Sequence, residues 1–278
     1  MATKKSTGLV KASGKDIALP QEMRERLLKL AQEQVASEAG TGLEANIIKA
    51  SNKRFTHGED VDLGEAFEAV VLDSVLINKF YDAPYVEGVV SPPACAAIGR
   101  DPSTLAPYAH APGRAADKCE GCPNNEFGSA SNGEGKTCTN RRRLVVMLLS
   151  DAQKEGFDKA PLYTMELSPT ALRGWARYVR SLARQYTIPP VACVTVFACE
   201  PSVKYSTIVP AFGRLLANHE VTEAMTRLQE ANELAMNPVS FDGYEAPSAS
   251  RSGKLAGKKG PAQRKGVPVV AKRGGKGR

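Results

Sequence analysis

Four cysteines, at Cys95, Cys119, Cys122 and Cys138, are the residues of this 278-residue chain whose spacing most directly implies chemistry. Cys119-Glu-Gly-Cys122 is a CxxC knuckle, in which two thiolates can face one ion across a tight turn. The outer cysteines lie 24 residues before the pair and 16 after it, far enough for loops to bring them back to the same point. Four thiolates at about 2.3 Å in a tetrahedron make a closed, structural zinc site. The segment between the cysteines is rich in Gly, Pro, Asn, Ser and Ala and has too few apolar residues for a core of its own. A bound metal can supply the folding energy that such a segment lacks. One structural Zn2+ is therefore the first expectation. An iron–sulfur cluster also takes four cysteines and stands beside it. Disulfides fit less well, because no hydrophobic signal segment is visible at the N-terminus and a reducing cytosol is the expected compartment. A redox CxxC wants a thioredoxin-like strand–helix setting, whereas Cys122 is followed by Pro123 in a loop. His110 lies inside the same loop and is a rival ligand to Cys95.

No catalytic constellation competes with this reading. The three histidines, His57, His110 and His219, are scattered, and there is no GxxxxGK[ST] phosphate loop. Glu120 and Glu126 lie near the cysteines without the His-x-Glu that a zinc deaminase requires. The expectation is a protein that is not an enzyme.

The net charge of +7 is unevenly placed. Residues 1–15 hold four lysines, and residues 251–278 hold ten Lys or Arg, with no acid in either stretch. Without those fourteen of the 37 basic side chains, 23 remain against 30 acidic ones, so the body of the chain is acidic. Gly-, Lys-, Arg-, Pro- and Ala-rich termini read as disordered, with nucleic acid or another polyanion as partner. The division is a basic arm at 1–18, one domain at 19–246 that carries the cysteine loop at 95–143, and a basic tail at 247–278. No apolar run approaches the ~20 residues of a membrane span, so no membrane contact is expected.

The elements around the cysteines follow from periodicity. QEMRERLLKLAQEQVASEAG reads as an amphipathic helix that stops at Gly40, and residues up to Gly64 read as turn-rich. FEAVVLDSVLINKFYD is β-branched and aromatic and reads as one long strand, with YVEGVVSPPACAAIG as its return. This hairpin brings Cys95 to the mouth of the loop. RRRLVVMLLSD and LYTMEL are further strands, and Ser168-Pro169 opens a helix with a serine N-cap. Along that helix Leu172, Trp175, Val179 and Leu182 form an apolar stripe, and Arg173, Arg177, Arg180 and Arg184 a basic one. VACVTVFACE and STIVPAFGRLL follow as strands, with Cys193 and Cys199 as buried thiols, and ANHEVTEAMTRLQEANELAM closes as an amphipathic helix. The fold class is mainly β (α+β), with flanking helices. A five-stranded Greek-key barrel with a helix between its third and fourth strands, as in the OB-fold, accommodates this order. Other small α+β sheets give the same order.

The runs SPPACAAIGRD, CEGCPNNEFGSASNGEGKTCTNRRRLVV and LSPTALRGWARYV resemble a family of tailed-bacteriophage proteins, over roughly residues 66–215. The resemblance implies a zinc-bearing OB-fold that binds single-stranded DNA in phage DNA replication and recombination. It also implies work in the cytoplasm of the bacterial host, among phage replication or recombination proteins as partners. One departure stands out: many single-strand binders end in an acidic tail that recruits partners, whereas this chain ends in a basic one.

Binding of a single strand without sequence specificity needs cations for phosphates and aromatic faces for bases. OB-folds grip oligonucleotides with the loops between their first and second and their fourth and fifth strands. The candidate residues are Tyr81 and Tyr85 at the hairpin, Phe127, Lys136, Arg141, Arg142 and Arg143 in and after the cysteine loop, and Lys204 and Tyr205 between the last strands. The arginine stripe of the helix ranks below them, since this helix plugs the end of an OB barrel. The alternative function is a zinc-ribbon adaptor that binds a polymerase or another replication or transcription protein.

Overall fold

The computed structural model describes residues 46–58, 61–83 and 91–244. The basic arm, the helix read at residues 20–40, Tyr85 and the basic tail lie outside the described residues.

One mainly β sheet curls into a half-barrel compatible with an α+β barrel, and a few helices pack on it. Its axis is β4 (Ala66–Phe80), whose 15 residues are rich in Val, Ile, Leu and Phe. Along one edge β4 pairs antiparallel with β6 (Cys138–Leu148) over nearly its whole length. Its other edge is shared: β8 (Cys193–Cys199) takes the first half and β5 (Cys95–Gly99) the last five residues. β6 then pairs with β7 (Leu162–Leu167), and β8 with β9 (Ile208–Leu215). The long hydrophobic strand and LYTMEL fall where their composition puts them. Among the described residues the return strand is β5, which begins at Cys95; residues 84–90 of the expected strand lie outside the described residues.

A bulge in β4 between Val71 and Asp73 exchanges the two faces of the strand. Before it Phe67, Ala69 and Val71 face one core, while Val70, Leu72 and then Val75 face the other. The first core draws residues from β1, β2, β4, β6, β7, β8 and β9, as only the concave side of a curled sheet allows. Helix α2 (Pro169–Gln185) packs into that concave side through Ala171, Trp175, Tyr178 and Leu182. The convex core lies under α1 (Leu149–Glu155), α3 (Asn218–Thr226) and α4 (Leu228–Ala235).

Three features differ from the sequence reading. The stretch read as turn-rich contains β1 (Ile47–Ser51), β2 (Arg54–His57) and β3 (Val61–Gly64). Ser51 pairs with Arg54 across the two residues Asn52 and Lys53, both at positive φ (49° and 63°), which is a type I′ hairpin turn. β1 joins the sheet parallel to β7, with Ile47 opposite Thr164. Lys53 then docks the hairpin tip on the β8–β9 loop, its backbone N–H donating to Ser206 Oγ (3.0 Å) and its Nζ to the Pro201 carbonyl (2.8 Å). Second, the apolar run after Cys138 is not all strand: α1 begins at Leu149 and ends at Gly156, whose φ of 96° suits only glycine. A continuous apolar run carries no period, so strand and helix look alike within it. Third, the last helix is two helices, broken at Arg227.

Candidate metal centre and nucleic-acid interface

The cysteine loop leaves the sheet at the end of β5 and returns at the start of β6. Cys95 and Cys138 are both in register with Phe80, the last residue of β4. Cys119 and Cys122 lie in the loop, with Gly121 between them at φ 71°, the left-handed turn that a knuckle needs. The knuckle is tied down by the backbone N–H of Cys119 on the Leu105 carbonyl (2.9 Å) and by Asn125 Nδ2 on the Cys119 carbonyl (2.7 Å). Asn125 Oδ1 accepts from Asn140 Nδ2 (3.0 Å), which also donates to Asn78 Oδ1 (2.8 Å). Asn78, on β4, is only 6% exposed and hydrogen-bonds the Cys119 thiol. The loop packs through Leu105 and Cys119 on Ala97 and Leu76.

All four thiols line one small cavity. Burial raises the Cys138 thiol to about 12 and the Cys95 thiol to about 11, and the neighbouring cysteines push in the same direction. Burial also raises Cys119, against the Asn78 hydrogen bond. The donors match a thiolate-binding metal in kind and number. As the side chains stand, however, no group of three His, Cys, Asp or Glu among the described residues is arranged to hold a metal ion. The sulfurs would have to draw inward to close around one. His110 is not part of the cavity; its ring packs on Tyr108 and on the edge of Phe241.

The three arginines after Cys138 do not act together. A strand sends alternate side chains to opposite faces, so Arg141 and Arg143 point to the convex side and Arg142 to the concave side. On the convex side Lys79, Arg141 and Arg143 share a single carboxylate, Glu166, at 2.8, 3.8 and 3.7 Å. Arg143 is largely buried, and its Nη1 donates to the carbonyls of Ala235 (3.2 Å) and Asn237 (2.6 Å), where a cation suits the end of a helix. Arg143 thus anchors α4. Arg141 is the more open of the two, and its Nε is buried with no partner among the described residues. Beside it lies Tyr81, whose phenol is raised by burial, against the pull of Arg141.

Lys49, Lys79, Arg141, Arg143, Glu166 and Ser206 help to line a cleft of about 570 Å³. Phe127 is 80% exposed, with the Lys136 ammonium 4.8 Å from the centre of its ring. Lys204 and Tyr205 are exposed in the β8–β9 loop, Tyr205 at 58%. Arg141 and Ser206 of the β8–β9 loop therefore border one cleft, Tyr81 lies beside Arg141, Phe127 and Lys136 stand on the cysteine loop, and Arg142 faces the other side of the sheet.

The sequence reading missed Lys49, Lys79 and Glu166 at this cleft, and Asn78 and Asn140 at the knuckle. The two asparagines did carry a signal, as amides inside strands that are rich in β-branched and other apolar residues. Among the described residues no helix is long and apolar enough to cross a membrane. Compared with known proteins, the chain matches no family model, no curated protein and no solved structure.

Proposed function

We propose that the chain is a single-stranded-DNA-binding protein built on an OB-fold, with one structural zinc in its first loop. On this reading β4, β6, β7, β8 and β9 are the five barrel strands and α2 is the helix between the third and the fourth. β5 and the cysteine loop are an insertion between the first two strands, and β1 to β3 extend the sheet beyond the third. The observation that carries the reading is the pairing order. It gathers Lys79 of β4 and Arg141 of β6, close to where the cysteine loop rejoins the sheet at Cys138, with Ser206 of the Lys204–Tyr205 loop around one cleft. These are the two loops with which OB-folds hold oligonucleotides.

The chain's residues divide the work. Arg141, Lys136 and Lys204 hold phosphates, and Tyr81, Phe127 and Tyr205 offer π-faces to unpaired bases. A duplex hides its bases, so the aromatic faces favour a single strand. The zinc, held by Cys95, Cys119, Cys122 and Cys138, would fix the loop that carries Phe127 and Lys136. Work in phage DNA replication and recombination is the setting implied by the resemblance of residues 66–215.

Fluorescence anisotropy with an oligo-dT strand and with a duplex of equal length tests the reading. Tight binding of the strand and weaker binding of the duplex is expected. Equal, weak binding of both would favour the adaptor, in which Phe127 and its neighbours contact a protein.

A further inference from the structure

The strongest charged surface left unused by that reading is helix α2. Its 17 residues contain Arg173, Arg177, Arg180 and Arg184 and no acid. Spacings of four, three and four keep the row within about 60° of arc over roughly 16 Å of axis, at ~1.5 Å and 100° per residue. All four are exposed, and none pairs with a carboxylate among the described residues.

Two further observations point to an anion here. One cleft of about 370 Å³ is formed by Arg177, Arg180, Arg184 and Ser181. A second, of about 510 Å³, has Arg142 and Arg180 over an apolar floor of Trp175 and Val179. The two clefts meet at Arg180, which lines both. Arg142, turned to this side by the strand period, is half-buried, and its hydrogen bond here is to a neutral group, Ser74 Oγ at 3.0 Å. A guanidinium removed from water without a counter-charge is costly, and an arriving anion relieves the cost. Burial alone pulls Arg142 below the ordinary arginine value.

The row also connects to the proposed site. At the start of the row Thr170 Oγ1 lies 3.3 Å from Thr207 Oγ1, at the end of the loop that carries Lys204 and Tyr205. Beyond Arg184, Tyr186 is 42% exposed and stacks on Phe212 at 4.5 Å and 14°.

We propose that α2 is a second phosphate track, along which a single DNA strand continues after leaving the Lys204–Tyr205 loop. Arg173, Arg177, Arg180 and Arg184 take successive phosphates, Arg142 joins Arg180 in the apolar-floored cleft, and the Tyr186–Phe212 stack offers a face to a base at the far end. Continuity with the loop favours a polynucleotide over an acidic protein segment, which would need only an isolated pocket. The track rests on the reading that the chain binds single-stranded DNA.

The test compares full-length wild type with the R173Q/R177Q/R180Q/R184Q variant, using oligo-dT of about 8 nucleotides, within the ~4–16 of a single OB site, and of about 30, well beyond it. The variant should bind the long strand at least tenfold more weakly, with a salt slope flatter by roughly 2–3 at ~0.7 per lost phosphate contact. Its affinity for the short strand should stay within about twofold, since that strand fills only the loop cleft. Equal losses for both lengths, or none for either, would overturn the track, and the second result would return the row to solvent or to an acidic protein. If wild type binds neither strand, the single-strand reading itself fails and takes the track with it. A melting curve confirms that the variant is folded, and R177Q/R180Q serves as a milder second variant with the same expected pattern.

Discussion

Cys95 and Cys138 lie on opposite sides of Phe80, each the first residue of its own strand and each in register with the last residue of β4. A 42-residue excursion therefore begins and ends on the two flanks of one strand end. Only the knuckle remains to be brought in, and the Asn78–Asn140–Asn125 chain of amides brings it.

Because the loop holds few apolar contacts beyond Leu105 and Cys119, we expect its order to depend on the metal. Purified protein should contain one zinc per chain by elemental analysis. Iron with visible absorbance would redirect the site to a cluster. Cys119→Ser should loosen residues 100–137, seen as faster hydrogen exchange there, while β4, β6 and β8 keep their protection.

The amide chain makes a separate prediction. Asn140→Ala would leave the buried Asn78 Oδ1 without its donor, at a cost of about 1–3 kcal/mol. The urea midpoint should fall accordingly, and the zinc should be lost to a chelator faster than from wild type. An unchanged midpoint would mean that water replaces the amide.

Long periodic elements could be read from composition: the β-branched run of β4, the alternation in β7, the two-faced helix α2 opened by Ser168-Pro169. The β1–β2 hairpin could not, because its turn is Asn52-Lys53 rather than Asn-Gly, and contacts with Pro201 and Ser206 about 150 residues away help hold it. The cysteines were recognisable as a set by spacing alone, since a knuckle is a local feature. The arginines were not separable, because their division rests on which neighbour each face meets: Glu166 and the α4 carboxyl end on one side, Ser74 on the other.

Acid should weaken the join between β9 and α3. Arg214 binds Glu220 at 2.7 and 2.9 Å, and Glu220 also accepts the Ala217 backbone N–H at 2.7 Å. These bonds, Arg214 first, lower the Glu220 carboxyl to about 2. A lowered folded-state value means stability that is fully present above the ordinary glutamate range and lost as pH falls from about 4.5 towards 2. Since Arg214 is well exposed, we expect about 1 kcal/mol from this pair and cap together. Glu220→Gln should lower the Tm by a few degrees at pH 7, and the difference from wild type should shrink below about pH 4.5 and close near pH 2. A gap that persists at low pH would assign the effect to packing.

The basic tail should add affinity without selectivity. Deleting residues 251–278 removes ten positive charges, so binding of single strand and duplex should fall by similar factors and the salt dependence should flatten. Selective loss of single-strand binding would mean that the tail itself distinguishes unpaired bases.

Single-strand preference should instead reside at the cleft, and adjacent side chains should separate binding from folding. Phe127 stands almost free of the fold, so Phe127→Ala should leave the Tm unchanged while lowering oligo-dT affinity about fivefold, within the ~1–3 kcal/mol of a stacked base. Tyr81→Ala should do the same, with a small drop in Tm because the ring is partly buried. Arg141→Ala should weaken binding of the strand, since its guanidinium is the more open at the cleft. Arg143→Ala should do the reverse: it removes the donor that ties Ala235 and Asn237 to the sheet, so the Tm should fall with little direct effect on affinity. Anisotropy and thermal melting of the four variants, run in parallel, check this division. If Arg141→Ala lowers the Tm as much as Arg143→Ala and leaves oligo-dT binding intact, the convex cluster around Glu166 is only a brace between sheet and helix, and the strand binds elsewhere.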